Sequence, residues 1–114
     1  MTTTEERIAQ AREILSALDF DQDRSNERSA MVLLSMLRLT AESPWSEATN
    51  PLLGTRAIMD WIRDHLGREY AANSRETIRR FTLHQFIDAT LVIENPDRPD
   101  RPINSPNWCY QVSH

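Results

Sequence analysis

The sequence predicts a mostly α-helical domain with a small β-hairpin: a winged helix-turn-helix preceded by two N-terminal helices. Three observations carry this. Residues 74–88 read as a helix with one apolar side and one side rich in arginine. Leu91-Val92-Ile93 and the alternating run Trp108 to Val112 read as two short strands, and the four prolines between them stiffen the connection into a wing. Gly67 supplies a left-handed stop for a helix that starts at Thr55, so the order is helix, turn, helix, hairpin. In that arrangement the second helix enters the major groove of DNA.

A length of 114 residues predicts one domain, 1–114, too short for a binding module plus a typical catalytic domain. Within it, residues 1–42 hold the N-terminal helices and 55–112 the winged segment, with the recognition helix at about 74–88 and the wing at about 91–112. No apolar run approaches the ~18 residues of a membrane span, and the first residues lack the basic and apolar regions of an export signal. The expectation is a cytoplasmic protein with no membrane partner. The single Cys109 excludes an internal disulfide and a Cys-rich metal site.

Taken in order, Thr3 and Glu6 form a capping box for a first helix at about 4–18, with Ile8, Ala11, Leu15 and Leu18 on one face. Residues 19–24 read as a polar connection. A second helix runs from Ser25 or Asn26 to about Thr40, and Ala30, Leu33, Leu34, Met36 and Leu37 make it the most buried. Residues 41–54 contain Pro44, Pro51 and Gly54, so a loop is expected, anchored by Trp45 and with room for one helical turn. Thr55 then caps a third helix whose Ile58, Trp61, Ile62 and Leu66 share a face. For the fourth helix Asn73 or Ser74 caps, Glu76 reaches back, and Ile78, Thr82, Phe86 and Ala89 face inward. Trp45, Trp61, Phe81 and Trp108 are best placed in the core, although aromatic faces can also cage a flipped base.

A net charge of −4 argues against a general nucleic-acid binder, since such domains are usually basic. Yet all 13 basic residues are Arg, and across 68–84 four of them (68, 75, 79, 80) face two Glu (69, 76), a balance of +2. Arginine suits bidentate contact with phosphate or guanine. The candidate DNA-binding residues are therefore Ser74, Arg75, Thr77, Arg79, Arg80 and His84 on the helix, and Arg98, Arg101 and Asn104 in the wing. The plain alternatives are a solvated helix face with a Glu76–Arg80 pair and a stiff solvent loop. His84 has no second ligand or paired carboxylate, and Asp60 with Asp64 reads as an exposed helix face, so no catalytic or metal-binding residue is assigned.

Asn73-Ser-Arg-Glu-Thr-Ile-Arg-Arg80, Leu83-His-Gln-Phe86, Asn95-Pro96-Asp97, Arg101-Pro102, Asn104-Ser105-Pro106 and Tyr110-Gln111, in this order, resemble a known family. They are similar to the N-terminal domain of the BsuBI/PstI type II restriction endonucleases, most strongly from about Trp61 to Gln111. The resemblance implies a DNA-binding specificity domain of a restriction-modification system. It also implies a nuclease domain, in cis or in trans, of the Asp…Glu-x-Lys type that uses Mg²⁺ to cleave a short palindrome. This chain has no lysine, so that triad cannot be assembled from its residues. The residues also leave open a transcription regulator, which needs a homodimer to span two half-sites, and a winged helix that binds only protein.

Overall fold

In the computed structural model residues 3–18, 20, 26–71, 74–102, 105 and 108–113 are described. Helix α1 (Thr4–Ala17) is capped by Thr3, whose Oγ1 accepts from the Glu6 N–H at 3.1 Å. Helix α2 (Glu27–Leu37) is capped by Asn26, which accepts from the Ser29 N–H at 2.8 Å, and it ends on Arg38 in the left-handed region (φ 57°). It is the central helix. Every residue from Ser29 to Met36 is buried, because α1 covers one side and the winged segment the other.

The loop between α2 and the third helix folds back over α1. Its single turn, Trp45–Glu47, presents the Trp45 ring to the Arg7 guanidinium at 4.9 Å, and the indole N–H donates to Gln10 Oε1 at 3.1 Å. Arg7, itself buried, donates to the Ala41 and Ser43 carbonyls. A buried cation is tolerated here because backbone oxygens and an aromatic face replace its water. Trp45 is thus half-buried rather than core.

Helix α3 (Thr55–Trp61) continues as a wider i→i+5 turn over Ile62–Leu66 and stops at Gly67 with φ 70°. Gly54 holds the cap position expected of Thr55, which is the first helical residue and is buried. Helix α4 (Ser74–Ile78) passes through a second wide turn, Arg79–Leu83, into α5 (His84–Asp88), giving one continuous rod over the predicted span 74–88. Strands β1 (Val92–Glu94) and β2 (Tyr110–Val112) pair antiparallel with Val92 opposite Val112 and Glu94 opposite Tyr110. Leu53 bridges to Tyr110 and fastens the hairpin to the segment before α3.

The core joins Leu15, Val32, Leu34, Met36, Ile58, Ile62, Ile78, Leu83, Phe86 and Val92. Several inward and outward assignments change, among them Leu18, grouped with Ile8, Ala11 and Leu15 but 50% exposed at the C-cap of α1. Phe20, inside the predicted polar connection, is buried and meets the Phe86 ring edge-on at 5.6 Å. Burial of such a side chain contributes about 1.5–3 kcal/mol, enough to override the polarity of its neighbours. Ala89 is exposed because it lies past the last turn of α5, and Phe81 is 50% exposed. No helix among the described residues is long and apolar enough to cross a membrane.

Candidate nucleic-acid interface

The α4–α5 rod lies between the helical core and the hairpin. Ile78, Thr82, Leu83 and Phe86 turn inward, and the Thr82 hydroxyl accepts from Arg28 Nε at 3.0 Å, which ties the middle of the rod to α2. The opposite side exposes Arg75, Glu76, Arg79, Arg80 and His84, while Ser74 and Thr77 are half-buried at its edge. Arg79 Nη2 lies 2.9 Å and Arg80 Nη2 3.6 Å from the same Glu76 oxygen, with the two arginine side chains 50% and 68% exposed. Hydrogen bonding from Arg79 holds the Glu76 carboxyl below its ordinary range, and the same bond raises Arg79. Both ion pairs are open to water, so a phosphate or a guanine edge can replace the carboxylate at little cost.

Between this face and the hairpin lies a cleft of about 250 Å³, lined by Arg79, Arg80, His84, Glu94, Trp108 and Tyr110. Trp108 Nε1 donates to Glu94 Oε2 at 3.0 Å, locking the wall of the cleft across the two strands. Tyr110 is buried, and that burial, followed by the charge of Glu94, raises its phenol. The sequence contained the signal for these wall residues only as strand alternation, which sets a face without saying what stands opposite.

The wing is built on Asn95. This residue is 2% exposed with φ 44°, and its Oδ1 accepts from the Cys109 N–H and from Arg101 Nη1, both at 2.9 Å. Its own N–H donates to the Cys109 carbonyl at 2.9 Å. Arg101 also reaches Asp97 Oδ2 at 2.9 Å and Cys109 Sγ at 3.1 Å, and its side chain is only 9% exposed. Arg101, read from the sequence as a DNA-binding residue, has its guanidinium turned into the loop, which it braces. Arg101 holds Asp97 below the usual carboxylate range, whereas burial raises the Cys109 thiol.

Arg98 stays 66% exposed with a loose contact to Asp100 at 3.7 Å. Asn104 and Asn73 lie outside the described residues. Glu76 pairs with Arg79 and Arg80, and its expected contact with the cap at Asn73 lies outside the described residues. Arg68 also departs from the expected basic face. It bridges Glu5 of α1 at 3.2 Å and Glu27 of α2 at 2.8 Å, pinning the turn before α4 to the N-terminal helices. With Arg68 and Glu69 away from the rod, Arg75, Arg79 and Arg80 against Glu76 leave the same balance of +2 on a smaller surface. Asp60 and Asp64 are both engaged by Arg63, at 3.4 and 3.0 Å, and among the described residues no three His, Cys, Asp or Glu side chains converge as metal ligands.

Residues 5–114 match the family described as the BsuBI/PstI restriction endonuclease HTH domain. The chain is 49% identical over 105 residues to the type II restriction enzyme BsuBI of Bacillus subtilis, which covers 92% of this chain and 33% of that enzyme. It is 37% identical over 109 residues to the type II restriction enzyme AplI of Arthrospira platensis, covering 96% and 33%. The solved structure of the SdaI restriction endonuclease superposes with a TM-score of 0.87 at 37% identity, over 93% of this chain and 33% of that one. The chain thus spans about a third of the length of each of these proteins.

Proposed function

The chain belongs to the BsuBI/PstI restriction endonuclease HTH-domain family, and from that premise we propose that it binds double-stranded DNA sequence-specifically, as the specificity domain of a type II restriction endonuclease. The observation that carries the reading is the outward face of α4–α5, where Arg75, Arg79 and Arg80 stand exposed beside a hairpin built as a wing. Arg79 and Arg80 are the base readers, since a guanidinium paired to guanine O6 and N7 contributes about 1–3 kcal/mol of discrimination. Ser74, Arg75, Thr77 and His84 meet phosphates along one groove wall, and Arg98 follows the backbone from the wing. Arg101 serves this function only indirectly, by keeping the loop in shape.

Cleavage belongs to a separate nuclease domain, in cis or in trans, which supplies the Mg²⁺ site; this sequence has no lysine for an Asp…Glu-x-Lys triad. The reading places the protein in the cytoplasm, where the DNA is, and two copies or two domains would meet a palindromic target. Selection of duplexes from a randomised library by the labelled chain should enrich one short sequence, and affinity for it should fall steeply with salt as counterions are released. A library that returns unenriched, with only weak salt-sensitive background, defeats the proposal.

A further inference from the structure

Phe81 does not sit in the core, where its aromatic side chain is expected from the sequence. The wide turn Arg79–Leu83 brings both Thr82 and Leu83 fully inside and leaves the aromatic ring between them and Arg80 half in solvent. Thr77 and Gln85, one turn either side, are only half-buried, so the ring is the apolar centre of a polar strip along the rod. Arg80, its neighbour in the chain, is 68% exposed on the outward face. Among the described residues the exposed large apolar side chains are Ile14, Leu18, Leu52, Phe81 and Ile93, and of these Phe81 stands on the rod that carries the exposed arginines.

We propose that Phe81 is a specificity-determining residue that packs on the C5-methyl group of a thymine in the major groove. This rests on the DNA-binding reading above and deepens it. The thymine methyl is the apolar feature that distinguishes a T·A pair on the major-groove floor, and a phenylalanine is one of the side chains that reads it. The charge of the rod selects this occupant over an apolar protein surface: a partner covering Phe81 would also have to desolvate the adjoining Arg80, whereas a duplex neutralises it with phosphate.

The test uses the duplex that the wild-type chain itself selects. Each thymine is replaced in turn by uracil, which removes the methyl group alone. At one position the replacement should weaken binding about fourfold, the ratio that one buried methyl corresponds to. Phe81→Ala should bind the thymine duplex at least that much more weakly and show no further loss on the uracil duplex, while Phe81→Leu should recover part of the difference. Its melting temperature should not fall, because the ring contributes little to the core. Equal losses for Phe81→Ala on thymine and uracil duplexes overturn the assignment in favour of a protein partner or a helix-shaping role. So does a selected site without thymine, or a Phe81→Ala chain that binds like the wild type. These outcomes leave DNA binding itself intact. If the wild-type chain selects no duplex, both readings fall together.

Discussion

Arginines on the α4–α5 rod and the arginine at the foot of the wing are the same side chain in opposite employment. Arg79 and Arg80 share one exposed carboxylate on their own helix and remain half or more in solvent, whereas Arg101 is closed in by Asn95, Asp97 and Cys109 at 9% exposure. The difference lies in the acceptors. Among the described residues Glu76 pairs only with arginines of its own helix and is exposed, so its pairs can be exchanged for a ligand; Asn95 and Asp97 belong to a loop whose shape depends on being bound. The rod is a surface of contact, and the wing is first a shape.

The largest effect should come from the rod. Replacing Arg79 and Arg80 together with alanine should weaken binding to the selected duplex about 100-fold, since each contact contributes about 1–3 kcal/mol. The salt dependence should flatten by up to about two counterions, with the melting temperature unchanged. A double variant that keeps its affinity would erase the contrast between the two regions. Next, Asn95→Ala should cost about 1–3 kcal/mol of stability by thermal melting, because it orphans the buried Cys109 N–H and takes one acceptor from Arg101. Cys109, 8% exposed and with its thiol raised by burial, should then react faster with a thiol reagent at neutral pH.

Arg101→Ala should sharpen the comparison further. If the guanidinium only braces the loop, affinity should drop about two- to tenfold through the cost of reordering it, well short of the rod double variant, and the salt dependence should stay that of the wild type. A salt dependence reduced as much as in the rod variant would return Arg101 to the contact surface. The smallest effect is a pH response. Asp97 has its carboxyl depressed chiefly by the Arg101 hydrogen bond, so its contribution is complete above the ordinary aspartate range and is lost as pH falls through the lowered value. Hydrogen exchange at the Arg98, Arg101 and Tyr110 amides, corrected for intrinsic rates, should accelerate at that acid limb, and Asp97→Asn should abolish the change.

Much of the architecture was legible in the chain. Ile8, Ala11 and Leu15 repeat at helical spacing and are buried together; Asn26 and Gly67 are a cap and a stop in the sequence and in the structure. The rod over 74–88 follows from its own pattern, and so does the two-stranded hairpin. What pattern alone misplaces are residues whose surroundings come from distant segments. Phe20 sits among aspartates in sequence but meets Phe86, and Arg68 counts as part of a basic run until Glu5 and Glu27 reach it from two other helices. Phe81 reads as core because it is aromatic, although the helical pattern of Ile78, Thr82 and Phe86 leaves it off the inner face; the wide turn at Arg79–Leu83 brings Leu83 inside instead.

The order of helices and strands, their caps and stops, and the placing of arginine on one helix were determined by the sequence alone, because each depends on neighbours within a turn or two. Which arginines face a ligand and which hold the protein together was decided only in three dimensions. A guanidinium goes to whatever fixed acceptors surround it, and for Arg68 those acceptors are 63 and 41 residues away in the chain, on helices that pack beside it only once the core has formed.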